Sequence, residues 1–455
     1  MFNLAKTLHK RYGPAVRVRP NEVWFDSEEA FKVIYNPVGG FEKSDFYLAT
    51  SLTKPRLDWR LRPHLPDTLD LLSERDRRRY RLQRRLIGPV YNIANLRRHE
   101  GAVDAVISRA VAQLRALDGA AVDLKEWMHI VAVECLGAAV LSWSPGLLKN
   151  RSDGGSGGHS YLGWRKKSVF GLVPGMVLLD SMSKYLGRPF SAFWRLTYAP
   201  PPGFKPFFTG VQRQTKRRLM QMTRGQRLGH KDILADLIEV HNNKAEFTFD
   251  YMKRMAVTNF GAGHETMAST LTSAIAAICS RPDVRDRVIA EVRQTADPSK
   301  YDVGTRLGYT QASIKESQRL YPVLGMSLPR RVPSRGVSLH GYYFPPGTTV
   351  GCCPASLHRN ASIFGVDPEE FRPERWMEGD TRAMEKLNLI WGGGSRTCPG
   401  RQLAQLVVHK VIPALFQEFD IEVDVPPEEG MPVYFMSMMT GVKARFISKG
   451  GETGL

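Results

Sequence analysis

The chain has 455 residues, 42% of them hydrophobic, and 64 Lys and Arg against 45 Asp and Glu give it a formal charge of +19. That is room for two or three ordinary domains or one large enzyme, and the charge leaves nucleic acid, acidic lipid and an acidic protein as candidate partners. Cys135, Cys279, Cys352, Cys353 and Cys398 form no CxxC pair and no even framework, which excludes a disulfide scaffold and points to a reducing compartment; the longest apolar stretch, Val169–Leu179, holds Pro174 and two glycines and is too short to span a bilayer, and Met1–Arg11 has no apolar signal core.

In chain order, Val16, Val18, Val23 and Phe25 flank Pro20-Asn21 and predict a short hairpin, followed by a helix over Glu28–Tyr35. Phe46–Leu72 has few periodic signals and several prolines, and reads as a long functional loop with short helical pieces. Ser73, with Asp76 three residues on, predicts a helix cap. The basic run Arg75, Arg77, Arg78, Arg79, Arg81, Arg84 and Arg85 then sits on one amphipathic helix with Tyr80 and Leu82 among it. It is short and no recognised nucleic-acid fold surrounds it, so a nucleic-acid arm is set aside. Helices follow over Val103–Leu117 and Leu124–Val140, then a Gly/Ser-rich loop over Asn150–Ser160. Val169–Phe208 is apolar and aromatic, broken by Pro174 and Pro200–Pro202; it reads equally as a lid touching a membrane surface and as ordinary helical core.

Phe249–Ile278 predicts a long helix whose centre is Phe260-Gly261-Ala262-Gly263-His264-Glu265-Thr266. Two glycines inside a helix cost roughly 1 kcal/mol each, which suits a helix that something must approach closely. His264 reads as packing. Ser313–Tyr321 predicts a helix with Glu316 and Arg319 one turn apart. Gly336–Val350 predicts strands turning at Pro345-Pro346-Gly347, Cys352 and Cys353 read as core, and Val433–Ile447 returns as strands.

The chemistry concentrates in Trp391-Gly392-Gly393-Gly394-Ser395-Arg396-Thr397-Cys398-Pro399-Gly400, followed by the apolar helical run Leu403–Phe416. Glycines let backbone wrap a ligand closely, a helix N-terminus favours a negative sulfur, and Arg396 offers a cation to a carboxylate. A lone cysteine cannot complete a structural zinc site, so a cofactor must bring the other ligands. Haem fits, with four ring nitrogens, a proximal thiolate and propionates.

This stretch resembles the haem-binding signature of the cytochrome P450 family, aromatic-x-x-Gly-x-Arg-x-Cys-x-Gly, with Trp391 where Phe is usual. Gly263-His264-Glu265-Thr266 resembles the family's oxygen-binding motif, Glu316-Ser317-Gln318-Arg319 its Glu-x-x-Arg, and Phe371–Trp376 the partner motif that contributes Arg375. Tyr12–Glu22 looks like the opening of fungal members, the pisatin-demethylase-like branch especially. The resemblance covers nearly the whole chain in order. It implies a mainly α fold with a minor β region, a triangular haem-enclosing domain over 1–455 that lacks an N-terminal membrane anchor, and haem b as cofactor. It implies Cys398 as the iron ligand, with Trp391, Arg396 and Gly400 around it. Tyr80 and Arg84 would serve one propionate. Arg330 would serve another, with Arg331 competing and His358-Arg359 weaker. Glu316, Arg319 and Arg375 would support the ligand loop from behind. Gly263 would leave room for dioxygen, Thr266 would hydrogen-bond it, and Glu265 would relay protons, with Met267 replacing a common second hydroxyl.

The activity implied is a monooxygenase acting on a lipophilic small molecule, in the fungal-like branch a secondary metabolite. Its electrons would come from a separate NADPH-cytochrome P450 reductase, docked on a basic face that includes Arg401, Lys410 and the Arg77–Arg81 run. A haem-thiolate isomerase, dehydratase or peroxide-user, and a non-catalytic haem or ligand-binding protein, stay open. The location implied is intracellular, at the endoplasmic reticulum surface if an anchor precedes the chain and cytoplasmic otherwise.

Overall fold

Helix periodicity decides most of the architecture. In the computed structural model, residues 2–449 are described apart from 52–55, 59, 61–62, 65, 157–205, 225–230, 428–432 and 434. The end of Asn150–Ser160 and nearly all of Val169–Phe208 therefore lie outside the described residues. The helices that build the site are α1 (Glu28–Ile34), α2 (Arg77–Ile87), α3 (Glu100–Arg115), α4 (Leu124–Leu141), α5 (Phe249–Cys279), α6 (Gly308–Leu320) and α7 (Arg401–Glu418).

Their starts are set by capping side chains. Ser27 Oγ accepts the Ala30 N–H at 3.2 Å, Asp123 the Glu126 N–H at 3.0 Å, and Thr248 the Tyr251 N–H at 3.2 Å. In α2 the cap is Asp76, which accepts the Arg79 N–H at 2.7 Å, and not Ser73. Ser73 is buried one turn earlier with its hydroxyl 3.4 Å from the Asp70 carbonyl, and Glu74 Oε1 accepts the Asp76 N–H at 2.8 Å, holding the intervening chain out of the helix.

α4 is buried on nearly every side, as an almost wholly apolar helix must be, and it packs along α5, with α3 and α7 also in the same core. This bundle holds the 31-residue α5 rigidly through the centre of the molecule. Among the described residues no helix is long and apolar enough to cross a membrane.

The minor β region is a five-stranded sheet beside the bundle. Its strands are β1 (Ala15–Arg19), β2 (Glu22–Phe25), β3 (Glu42–Lys43), β4 (Arg330–Arg331) and, after a separate hairpin, β5 (Thr349–Cys352), in the order β1-β2-β5-β4-β3. Only the β2–β5 pair is parallel. The separate hairpin, Val337–Leu339 with Tyr342–Phe344, turns at His340-Gly341, both at positive φ (51° and 77°), and not at Pro345–Gly347. The Pro345–Thr348 turn feeds β5 into the larger sheet. Lys443–Ser448 returns as a strand beside Phe419–Asp424. One register has chemical consequences: β3 and β4 pair so that Lys43 lies opposite Arg330. Like charges directly opposite destabilise a sheet, so this pairing calls for an anion.

If Asp76 is the cap of α2, Asp76→Ala should cost about 1 kcal/mol and Asp76→Asn much less, as read from denaturation midpoints at equal m-value.

Candidate functional site

The Trp391–Gly400 loop is closed by the Cys398 N–H, which donates to the Trp391 carbonyl at 2.7 Å. It is seated on Tyr35, at the end of α1. A Cβ at Gly394 would lie 2.0 Å from the Tyr35 carbonyl oxygen, at a φ of +60°, and one at Gly393 would meet the ring at 2.7 Å. Tyr35 is tied in turn to the sheet: its hydroxyl donates to the Leu328 carbonyl at 3.0 Å and accepts the Cys352 N–H at 2.9 Å. Sequence reading missed Tyr35, for which no motif exists.

Past the loop, Gly400 sits at the head of α7, and the Gly400 and Arg401 amides both point at the Cys398 sulfur. Burial pushes the Cys398 thiol up, and those amides with Arg84 and Arg401 pull the other way. Cys398 is exposed and the other four cysteines are buried. The other four are inert: burial drives Cys135 and Cys279 up to about 12 and Cys353 to about 11, and Cys352 rises as well.

Four cations converge beside this thiol. The Arg396 guanidinium stacks on Tyr80, 3.8 Å from its centroid, and donates at 3.0 Å to the Glu74 and Arg75 carbonyls. Arg330 is buried against Tyr35 and Tyr47, donating to the Tyr47 hydroxyl at 3.2 Å. Lys43, across the strand pair, donates to the Leu71 and Leu72 carbonyls at 2.8 and 2.6 Å. Arg84 feels both Tyr80 and Cys398. Burial first, then Arg330 and Arg396, pushes the Lys43 ammonium well down; burial takes Arg396 to about 10. Among the described residues none of these four cations forms an ion pair with a carboxylate. Buried charge needs a partner. One amide-flanked thiol beside cations that make no direct ion pair, with only the more distant charges of Glu42, Asp70 and Glu74 acting on them, fits a haem, whose iron would take the sulfur and whose two propionates would take the cations. Lys43 was invisible in the sequence because only the strand register brings it to Arg330.

On α5, the face Thr258–Ala262–Thr266 keeps accessible surface, most of it at Ala262, while the following turns are buried. Thr266 Oγ1 donates to the Ala262 carbonyl at 2.8 Å, and Thr258 Oγ1 has no hydrogen-bond partner among the described residues. Gly263 departs from expectation. A Cβ there would meet Leu136 of α4 at 3.2 Å, so the room it leaves serves close helix packing and not dioxygen. Glu265 is buried, with Lys125 Nζ 3.1 Å from Oε2. His264, expected as packing, is buried but polar in role, its Nδ1 2.8 Å from His129 Nε2.

Glu316, Arg319 and Arg375 are brought together and buried. Glu316 takes two donors from Arg319 at 2.8 Å each, one from Arg375 at 3.2 Å, the Trp376 indole N–H at 2.8 Å and the Arg372 N–H at 3.0 Å. Arg319 also donates to the His358, Pro368 and Glu370 carbonyls. His358 belongs to this support and not to a propionate site: its Nε2 accepts the Leu389 N–H at 2.9 Å, so Nδ1 carries the proton and faces the Arg319 carbonyl at 3.2 Å.

Behind the thiol loop lies a groove of about 640 Å³, lined by Trp391, Gly392–Gly394 and Arg401 with Lys32, Lys315, Arg382 and Lys386; Glu385 is its acidic member. Lys410 is not on this face. It is fully buried, holding Glu100 and Asp104 at 2.5 and 2.8 Å, because α7 turns that residue into the bundle.

The family model for cytochrome P450 matches residues 1–444. The cytochrome P450 monooxygenase sdnT of Sordaria araneosa is 54% identical over 484 residues, covering 99% of this chain and 87% of its own length. The cytochrome P450 monooxygenase gsfF of Penicillium aethiopicum is 26% identical over 462 residues, covering 98% of this chain and 88% of its own length. A pisatin demethylase of Fusarium vanettenii is 27% identical over 437 residues, covering 93% and 81%.

Two outcomes follow from this geometry. Gly394→Ala should yield folded protein with little bound haem, read as haem absorbance per mole of protein, because no rotation removes a Cβ from the Tyr35 carbonyl. His358 sets an acid limit. Burial, then Arg319, lowers it from 6.5 to about 3, so the unfolded chain binds a proton that the folded chain refuses. Stability should fall as pH drops from 6.5 towards 3, by up to about 1.4 kcal/mol per pH unit from this group, with buried His409, lowered to about 4, adding to the slope. Denaturation midpoints across that window should show a shallower slope in His358→Gln.

Proposed function

The chain belongs to the cytochrome P450 family and is a monooxygenase of it, and from that premise we propose that it oxidises a lipophilic secondary metabolite with electrons from a separate NADPH-dependent reductase, using haem b in a single catalytic domain. Members of the family use haem iron, dioxygen and a redox partner on small molecules. The observation that carries the site assignment is the accessible, amide-flanked Cys398 thiol beside four cations that lack carboxylate partners.

Cys398 is the iron ligand, and the Gly400 and Arg401 amides steady its negative sulfur. Arg396, Arg330, Arg84 and Lys43, with Tyr80 beneath Arg396, would hold the propionates. When bound, the haem supplies reductive activation of dioxygen, the thiolate's electron push favouring O–O cleavage. One oxygen atom enters the substrate and the other leaves as water, with two electrons and two protons consumed. The Thr258–Ala262–Thr266 face of α5 lines the space where substrate sits, and it is apolar except for two hydroxyls. Thr266 Oγ1, now donating to the helix backbone, swings to present its hydroxyl on that face, and Glu265 supplies protons behind it. Glu316, Arg319 and Arg375 act structurally, fixing the segment that leads into the thiol loop. The basic groove behind that loop is the reductase docking face, with Lys386 and Lys32 in place of Lys410.

Cys398→Ser should abolish the thiolate-type reduced carbon-monoxide spectrum while Cys352→Ser keeps it; a normal spectrum in Cys398→Ser would refute the assignment. Reductase-supported turnover should fall as salt rises, since attraction between exposed faces is screened within about 8 Å at physiological ionic strength, while peroxide-driven turnover stays flat. Lys386→Glu should weaken the reductase-supported rate alone. A secondary-metabolite panel scored by substrate-binding spectra and product mass tests the substrate class.

A further inference from the structure

Away from the haem site, α4 and α5 bring three metal-ligating side chains to one point. His129 comes from α4, and His264 and Glu265 from α5. Their exposures are 0%, 0% and 2%. His129 Nε2 lies 2.8 Å from His264 Nδ1 and 3.6 Å from Glu265 Oε1, and His264 Nδ1 lies 3.8 Å from the same oxygen. A triangle with these sides fits a circle of radius about 2.0 Å. One point between the three atoms therefore stands at the bonding distance of zinc from each, which is about 2.0–2.2 Å for imidazole nitrogen and carboxylate oxygen.

A hydrogen bond between the two rings accounts for the shortest side alone. It leaves Glu265 Oε1 buried and without a hydrogen bond among the described residues, and such an atom calls for a partner. An ion at the common point satisfies all three atoms together. The surroundings suit it. Lys125 Nζ holds the other carboxylate oxygen, Oε2, at 3.1 Å, which fixes the turn of the group and leaves Oε1 for the ion. Phe207 packs edge-on against both imidazoles and restricts their rotation. An ion on His129 Nε2 leaves that ring's proton on Nδ1. Asp153 Oδ2 is 2.9 Å from Nδ1, out of line for a hydrogen bond as it stands, and a small turn of the ring brings the pair into carboxylate–histidine–metal order. Asp153 and His264 make further contacts of their own.

We propose that His129, His264 and Glu265 bind one zinc ion that ties α4 to α5. Two imidazoles and a carboxylate are a zinc donor set, with a fourth position left for water, and the nitrogen donors select against magnesium and calcium. Both rings bind neutral, each keeping its proton on the nitrogen away from the ion, and any extra proton on the pair is released to solvent. No oxidation state changes. The Lys125 ammonium repels a dication, and the carboxylate offsets that repulsion by giving one oxygen to each. The site goes beyond the proposed function and does not depend on it. A zinc-held carboxylate gives up no proton of its own; the water in the fourth position, which zinc acidifies to a pKa of about 7, takes that part while Glu265 orients it.

The test uses tag-free, haem-loaded protein produced with added zinc and passed through a chelating resin. Elemental analysis should find one zinc per chain. X-ray absorption at the zinc edge, which haem iron does not obscure, should show two imidazoles and an oxygen at about 2.0–2.1 Å. His129→Ala and His264→Ala should each lose the zinc and keep the reduced carbon-monoxide spectrum, while His241→Gln, on another helix, keeps both. If the alanine variants do not load haem, wild-type holoenzyme stripped with EDTA carries the test: its melting midpoint should fall, and one equivalent of zinc, but not of magnesium, should restore it. In His264→Gln neither treatment should act. Zinc loss in Glu265→Gln with normal coupling of NADPH use to product would remove the proton role and leave the metal site standing. Wild-type protein that holds no zinc and gains no stability when zinc is added overturns the proposal. Zinc retained by every ligand variant overturns it too, because the ion then lies elsewhere.

Discussion

A thiol that burial pushes towards its neutral form, yet that the fold surrounds with amides and cations, is the constraint on which the rest of this structure depends. Burial alone drives the Cys398 thiol up, so the fold must supply countervailing dipoles and charges before the sulfur can act as a ligand. It does so with the amides at the head of α7 and with Arg84 and Arg401 nearby. Those amides are useful only if the loop is placed to the nearest ångström, which explains the glycines that press on Tyr35 and the tie from Tyr35 to the sheet.

The molecule buries charge in three different ways, and the differences separate support from function. Around Glu316 every oxygen is saturated with donors, the arrangement of a rigid brace. Around Cys398 the cations outnumber their partners, the arrangement of a site that receives an anionic group. Around Glu265 one oxygen is anchored by Lys125 and the other has no hydrogen bond among the described residues, the arrangement of a group that is neither a saturated brace nor part of the cation set. The same energetic rule, that buried charge must be compensated, gives each its meaning.

The thiol loop, the Glu316–Arg319–Arg375 brace and the α5 centre were legible because each is a short string whose spacing dictates its geometry. The helices were legible for the same reason, with ends shifted by a turn or less at most positions, as at Asp76, and by five residues at the start of α6. Three readings failed where direction and not spacing mattered. Gly263 turns its open side to Leu136, Lys410 turns into the bundle towards Glu100, and His358 turns behind the loop. Periodicity locates a residue along a helix, but the neighbour it meets depends on which helix lies across from that face.

The groups that were missed had a weak signal at best. Lys125 and His129 stand one turn apart on a mostly apolar helix that also buries Glu134, a pattern that marks polar groups needing buried partners. Asp153, their neighbour in space, comes from a loop 24 residues further on from His129 and carries no pattern. Lys43 faces Arg330 only because two strands 287 residues apart pair in one register. The sequence by itself determined the family, the glycine-rich loop around Cys398 and the helical framework, since these rest on local strings and on burial periodicity. The tertiary structure alone decided which cations share the anion site, which face of α5 opens inward and which groups stand behind Glu265. Those are relations between distant segments, set by packing and register, that no local spacing encodes.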